Sequence, residues 1–103
     1  MNYTENFDGI KLDVQAVDVD IEDKLQQMIR ETITRLRKYT SDVNFVDVYI
    51  TDKSDKSTNP KSLGMRFGIP GKDAYASDTG DNWYALLKNV EEKLWRQLEK
   101  KGN

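Results

Sequence analysis

Hydrophobic and polar residues alternate over residues 10–16, where every even position is apolar. This period of two is typical of a half-buried strand. From residue 21 to about residue 38 the apolar residues are instead three and four positions apart, which predicts one face of an amphipathic helix. Asp20 is the predicted N-cap, because an aspartate can accept hydrogen bonds from the free N–H groups of a first turn.

The remainder of the chain predicts three more strands and one more helix. The predicted strands are residues 43–51, 63–69 and 73–77, and the predicted helix is residues 82–100. Polar segments separate these elements at residues 40–42, 52–61 (with Asn59-Pro60 as a turn) and 70–72. The strand at 43–51 has apolar residues on both faces, which indicates burial on more than one side. Either Asp78 or Asp81 is expected to cap the last helix.

The element order β-α-β-β-β-α defines an α+β fold. The first two strands are joined through a helix, so we expect them to be parallel with a right-handed connection. The later connections suit an antiparallel meander, and both helices then cover one face of a four-stranded mixed sheet. Residues 1–8 are polar and aperiodic, so we expect a flexible N-terminus followed by one domain over residues 9–101.

Composition restricts the class of protein further. The chain has 103 residues, of which 37% are hydrophobic and 33% charged, as in a single globular domain. It has no apolar stretch of the roughly 20 residues that span a bilayer, no signal-peptide pattern and no cysteine. We therefore expect a cytoplasmic protein, monomeric when free, that has no contact with membranes.

Histidine is absent, which removes the commonest general base near neutral pH and the commonest zinc ligand. We expect no catalytic residues, no cofactor, no metal and no small-molecule substrate. The acidic run at residues 18–23 lacks the glycine that a calcium loop needs at its sixth position, so helix capping is its expected role. A hydrolase based on paired carboxylates would need a convergent pair, and the sequence offers none.

Charge is distributed unevenly. The net charge is −2, which argues against a nucleic-acid binder, but residues 1–23 hold one Lys and seven Asp/Glu, whereas the remainder holds fifteen Lys/Arg and eleven Asp/Glu. On a helical wheel the cations of each helix form groups, two on the first helix and one on the second, and each group lies on one flank. The sorted residues are Lys24, Arg35 and Lys38 on one flank of the first helix, Arg30 and Arg37 on its other flank, and Lys93, Arg96 and Lys100 on the second helix.

Two helices packed side by side could merge one flank of each into a continuous basic strip, which is the expected footprint of RNA phosphate contacts. The alternative is that these are ordinary solvated helix faces. Trp83 and Tyr84 could stack on bases, although Trp83 lies in the apolar stripe and is expected to be a core anchor. Trp95 falls just outside that stripe, on the flank of Tyr84.

Three segments lie in order on these elements: RLRKY at residues 35–39, IPGKDAYAS at 69–77 and EKLWRQL at 92–98. Together with Tyr84-Ala85 and the element order, they resemble the ribosome hibernation-promoting factor family, which includes ribosome-associated inhibitor A and sigma-54 modulation proteins. The resemblance covers about residues 9–101. The chain departs from the family pattern at Thr32, where a basic residue is common, at Lys88, which replaces Asp, and at Trp95, which replaces Glu.

The resemblance implies two helices on a four-stranded sheet, similar to double-stranded-RNA-binding domains. It implies docking into the decoding channel of the small ribosomal subunit, contact with ribosomal RNA, and translational silencing in stationary phase or starvation. By position it places RNA contacts at Arg35, Lys38, Lys93, Arg96 and Lys100, and the helical wheel alone adds Lys24. The alternative is a protein-interaction or regulatory module of the same fold that does not bind ribosomes.

Overall fold

The computed structural model describes residues 1–40, 42–53 and 60–101. Within that part the chain forms β1 (Asn2–Phe7), β2 (Ile10–Val17), α1 (Asp23–Leu36), β3 (Phe45–Asp52), β4 (Lys61–Gly68), β5 (Ala74–Gly80) and α2 (Trp83–Lys101), and a short 3-10 turn, Arg37–Tyr39, follows α1. Ser41, in the polar segment 40–42 predicted to follow the first helix, and residues 54–59 of the predicted polar loop, with Asn59, lie outside the described residues.

The strands form one mixed sheet in the order β1-β2-β3-β4-β5. β2 and β3 are parallel, with α1 as the connection between them, and the three other neighbouring pairs are antiparallel. The predicted α+β class, the parallel pair and the antiparallel meander are confirmed. The predicted count of four strands is wrong, because the described residues contain five. The similarity to double-stranded-RNA-binding domains stays a prediction.

The additional strand is β1, in the segment that was predicted to be a flexible terminus outside the fold. All six of its residues pair with β2 in a continuous antiparallel register. The connecting turn is Asp8-Gly9, with φ values of 51° and 83°, the paired left-handed conformation that two-residue hairpins favour. On the helix side of β1, Glu5 forms an ion pair with Arg30 of α1 at 3.0 Å. The hairpin and this ion pair hold β1 as an edge strand.

One hydrophobic core lies between the sheet and the two helices. β2 and β3 alternate buried and more exposed residues, so the helices cover a single face of the sheet. The largest fully buried side chains are Phe67, Ile10, Leu12, Leu25, Ile29, Ile33, Leu36, Ile50, Leu63, Met65, Leu87 and Leu94. Burying each such side chain stabilises the fold by about 1.5–3 kcal/mol. No helix in the described ranges is long and apolar enough to cross a membrane.

The other face of the sheet carries no helix; its aromatic side chains include Phe45 and Tyr49, which are partly buried, and Tyr75, which is exposed. The ring of Phe45 lies over Gly68, and the phenol of Tyr75 lies over Gly64, so that a Cβ at either glycine would meet a ring atom. Tyr49 and Tyr75 are neighbours, with ring centroids 6.5 Å apart. The sequence predicts burial on both sides of β3, but the side away from the helices is only partly buried. That partial burial comes from neighbouring side chains on the same face of the sheet.

Both helices begin differently from the prediction. α1 starts after Glu22, whose side chain makes no capping hydrogen bond, so Asp20 is not its N-cap; the chain turns earlier, at Asp18 with φ 59°. α2 is capped by Asn82, whose Oδ1 accepts hydrogen bonds from the N–H groups of Tyr84 and Ala85 at 2.9 and 3.0 Å. The predictions of Asp78 and Asp81 as caps are therefore wrong.

Candidate nucleic-acid interface

Arg35 joins the two helices. Its Nε and Nη2 atoms donate hydrogen bonds to the two carboxylate oxygens of Glu91 on α2, each at 2.8 Å. Nη2 also donates to the Thr32 hydroxyl at 3.3 Å. The hydrogen bond with Glu91 is the main reason that the pKa of Arg35 is raised above its ordinary value. The side chain is still 51% exposed, so its position is fixed while its charge remains accessible from solvent.

Lys24 and Lys38 lie on the same flank of α1 as Arg35. The Lys24 ammonium is 5.0 Å from the centroid of the Tyr84 ring on α2, within the range of a cation–π contact. Lys38, in the 3-10 turn, lines the groove between the helices. We call these three residues the α1 patch. Since Lys24, Arg35 and Lys38 all face α2, their predicted grouping on one flank is confirmed.

The cations of α2 lie elsewhere. Lys93 donates to the carbonyl oxygen of Ser77 on β5 at 3.0 Å and lies 4.0 Å from Asp78. Arg96 pairs with Glu92 one helical turn earlier at 2.7 Å and is 65% exposed. Lys100 is exposed near the end of the helix. We call Lys93, Arg96 and Lys100 the α2 patch.

Several groups hold Asp78 in its ionised form beside the α2 patch. The hydrogen bond from the Asn89 amide is the largest cause of the lowered pKa of Asp78, and the N–H of Thr79 and the charge of Lys93 lower it further, against the opposing effect of burial. The Asn89 amide is 2.9 Å from the carboxylate. Asp78 is therefore an anion on the edge strand β5, where it binds Asn89 of α2, and it does not cap α2.

The two patches do not merge into the predicted continuous strip. α2 turns Glu91 and Trp95 toward α1, and Lys93 follows Glu91 by two residues, which places it about 200° further around the helix. Lys93 therefore reaches β5, on the side away from α1. The body of α2 lies between Lys93 and the α1 patch, so the predicted basic strip is not continuous at Lys93, whereas Arg96 pairs with Glu92 at the rim of the groove between the helices. Arg30 and Arg37 lie on the outer flank of α1, bound to Glu5 and to the Asp8 carbonyl oxygen.

A groove of about 790 Å³ runs between α1 and α2. It is lined by Met28, Thr32, Arg35, Leu36, Lys38, Tyr39, Tyr84, Ala85, Leu87, Lys88, Glu91, Glu92 and Trp95. Tyr39 and Trp95 meet edge to face, with ring centroids 6.1 Å apart. The indole Nε1 of Trp95 is buried and has no hydrogen-bond partner among the described residues.

Sequence reasoning did not identify this groove as a site, and it left Lys88 and Tyr39 out of the candidate residues. The available signal was the spacing of Tyr84, Lys88 and Trp95, which are separated by four and seven residues and so share one flank of a helix. In the described part of the chain no group of three or more acidic side chains is placed to hold a metal ion.

Comparison with known sequences identifies relatives over most of the chain. Residues 12–102 match the family described as Sigma 54 modulation protein / S30EA ribosomal protein. The chain is 29% identical to the ribosome hibernation promotion factor of Lactococcus lactis over 93 residues, 88% of this chain and 49% of that protein. It is 26% identical to the ribosome hibernation promoting factor of Escherichia coli over 91 residues, 88% of this chain and 92% of that protein. It thus spans about half the length of the Lactococcus relative.

Two solved structures have a similar fold. The N-terminal domain of Thermus thermophilus Protein Y matches with a TM-score of 0.72 and 14% identity, covering 85% of this chain and 93% of that one. A ribosomal subunit interface protein from Coxiella burnetii matches with a TM-score of 0.75 and 18% identity, covering 87% and 94%. Since the family match covers nearly the whole chain, this protein belongs to the Sigma 54 modulation protein / S30EA ribosomal protein family, the family of the ribosome hibernation-promoting factors.

Proposed function

We propose that this chain is a non-enzymatic ribosome-binding factor that occupies the decoding channel of the small subunit and represses translation during stress. The observation that carries the proposal is the family match over residues 12–102. The names of the relatives, ribosome hibernation promotion and promoting factors, support a role in ribosome hibernation. In this proposal the bound protein excludes messenger and transfer RNA by filling the space that they need.

The charge distribution supports binding to RNA through the helix layer. Seven of the eighteen acidic residues precede residue 24, and of these Glu22 and Asp23 adjoin a patch residue, Lys24, in the sequence. Arg35 and Lys93 are each about half exposed, and Arg96 more so. Their partners within the chain hold them in position and can be exchanged for phosphate oxygens at low cost, because exposed ion pairs stabilise a fold by only about 0.2–1 kcal/mol.

Co-sedimentation with isolated small subunits over a series of salt concentrations tests the proposal. Each phosphate contact contributes roughly 0.7–0.9 to the slope of log affinity against log salt. Replacing the three residues of the α1 patch, or those of the α2 patch, by glutamine should therefore lower the slope by about 2–3. The matched control replaces Lys11, Lys53 and Lys72, which have the same total charge and belong to neither patch.

The proposal is wrong if the wild-type chain does not associate with small subunits at low salt, or if both patch variants bind like the control. Competition separates the decoding channel from other ribosomal sites: subunits loaded beforehand with messenger and transfer RNA should bind the protein poorly. Undiminished binding to loaded subunits would place the protein elsewhere on the ribosome. Recovery of a protein partner whose binding is insensitive to salt, with no ribosome binding, would favour the protein-interaction alternative.

A further inference from the structure

We propose that the groove between α1 and α2 binds a single nucleotide, with its base against Tyr39 and Trp95 and its phosphate near Lys38 and Lys88. The inference deepens the proposed function, on which it rests for its source of nucleotides, an unstacked residue of ribosomal RNA. A free nucleotide has the same chemistry of base and phosphate, and the experiment below separates the two sources.

The aromatic lining of the groove suits a base. Trp95 is only partly buried, and Tyr39, which meets it edge to face, is 42% exposed. Tyr84 and Met28 extend the same lining. Bases stack on aromatic side chains with little dependence on sequence, since every base has a π-face. The groove volume of about 790 Å³ lies within the range of about 300–1,000 Å³ that small-molecule sites occupy.

The charges along the groove favour an anion. Two carboxylates line it, and each is already neutralised, Glu91 by Arg35 at 2.8 Å and Glu92 by Arg96 at 2.7 Å. Lys38 and Lys88 also line it, and neither forms an ion pair with a described residue. Two cations without a counter-charge beside an aromatic groove complement the phosphate groups that flank a base.

The indole N–H of Trp95 provides a further reason for a polar aromatic occupant. It is buried without an acceptor in the described part of the chain, and a buried donor in that state destabilises a fold. An aliphatic side chain in the groove would leave this donor unsatisfied. Every nucleobase carries ring nitrogens or carbonyl oxygens at its edge, so a base, unlike an aliphatic group, brings acceptors that this donor lacks.

Fluorescence of Trp95 provides a direct test. The chain has two tryptophans, so Trp83→Phe leaves Trp95 as the sole reporter. We expect saturable quenching by nucleoside monophosphates and by an unstructured RNA tetranucleotide. The nucleosides without phosphate should quench only at higher concentration. Lys38→Gln and Lys88→Gln should each weaken tetranucleotide binding about fivefold near 0.1 M salt, the value expected for one single-strand phosphate contact.

Substitutions of Trp95 separate stacking from hydrogen bonding. Trp95→Leu keeps the groove apolar but removes both the ring and the N–H, and it should reduce the affinity for a fluorescently labelled tetranucleotide more than tenfold. Trp95→Phe keeps an aromatic ring and should lose less. Trp83→Phe is the matched control and should bind like wild type. Circular dichroism over a thermal ramp verifies that each variant is folded.

The two sources of nucleotide give different results. A tetranucleotide that binds much more tightly than any mononucleotide supports an RNA strand, whereas equal affinities support a free nucleotide as the occupant. The inference is overturned if no nucleotide quenches Trp95, if Trp95→Leu binds the tetranucleotide as well as Trp83→Phe does, or if only an amphipathic peptide quenches. Co-sedimentation with small subunits separates failure of the nucleotide site from failure of the proposed function. If the chain co-sediments but binds no nucleotide, only the nucleotide site in the groove is contradicted. If it binds nucleotide but does not co-sediment, only the proposed ribosomal function is contradicted.

Discussion

Replacing Glu91 by glutamine tests whether Arg35 is held in position for RNA or only for the fold. The Glu91 carboxylate accepts two hydrogen bonds from the Arg35 guanidinium, both at 2.8 Å. Glutamine has nearly the same size and can still accept one of them, but it carries no charge. In the variant Arg35 therefore stays beside the groove while its charge becomes available to a phosphate.

The Arg35–Glu91 ion pair should stabilise the fold slightly and weaken the binding of Arg35 to RNA. Because the Arg35 side chain is half exposed, losing the ion pair should lower the free energy of unfolding by no more than about 1 kcal/mol. In the wild type Arg35 must leave Glu91 to reach a phosphate, so the variant should bind more tightly by the cost of that exchange, about 0.2–1 kcal/mol or up to roughly fivefold, with the salt slope nearly unchanged. The variant is thus expected to be slightly less stable and to bind more tightly.

The assay is small-subunit binding at several salt concentrations, together with urea unfolding. Asp47→Asn is the matched control, because it changes the net charge equally but lies on β3 with its side chain on the face of the sheet away from the helices. Its effect should be small, since salt near 0.1 M screens charges beyond about 10 Å. Equal affinities for the two variants would show that Arg35 does not contact RNA. Weaker binding by Glu91→Gln would show that the ion pair positions Arg35.

Three further predictions concern the fold. Asn82→Ala should lower the free energy of unfolding by about 0.5–2 kcal/mol because it removes the N-cap of α2, whereas Asp81→Ala should change it by less than about 0.5 kcal/mol in the same urea titration. Gly68→Ala should cost about 1–3 kcal/mol because the new methyl meets the Phe45 ring; in a Phe45→Leu background the cost should fall, and an unchanged cost would contradict the packing. The pKa of Asp78 is lowered from its ordinary value of 3.8 in the folded protein, so its ionised carboxylate stabilises the fold at pH values above 3.8. This contribution is lost as the pH falls through the lower pKa of the folded state. Asp78→Asn should therefore make the free energy of unfolding depend less on pH in the acid range.

The sequence predicts the buried elements well because their signals are local. The strict alternation in β2 and the spacing of three and four in α1 and α2 follow directly from which positions must face the core. The helix caps were predicted less well. Asp, Asn and Ser have similar capping preferences, so composition near residues 78–82 could not decide between Asp78, Asp81 and Asn82, and only the backbone path does so.

β1 was missed for a different reason. Its helix-facing positions are Tyr3, Glu5 and Phe7, and the carboxylate in the middle interrupts the apolar alternation that would mark a strand. Glu5 is tolerated there because β1 lies at the sheet edge, where Arg30 reaches it at 3.0 Å. The usable signal was Asp8-Gly9, since an Asp-Gly pair between two short segments is a strong indication of a two-residue hairpin.

The two basic patches show what a helical wheel can and cannot establish. The wheel sorted the cations of each helix onto the correct flank, but it has no information on which flank faces the neighbouring helix. That depends on the order of strands beneath the helices, and here α2 lies over β5 with Lys93 turned outward. The separate grouping in each helix was therefore predictable, and the relation between the groups was not.

The separation of the patches restricts how RNA could engage both. A helix with its side chains is about 10–12 Å in diameter, and Lys93 lies on the flank of α2 opposite Arg35. One flat RNA surface could touch Arg35 and Lys38 or Lys93 and Lys100, but it could not reach both pairs without bending around the helix. A cleft with RNA on two sides could contact both patches at once. If replacing Lys93 and Lys100 lowers the salt slope as much as replacing Arg35 and Lys38 does, RNA contacts α2 on two sides, as a channel would; if only one pair matters, the protein lies against a single RNA wall.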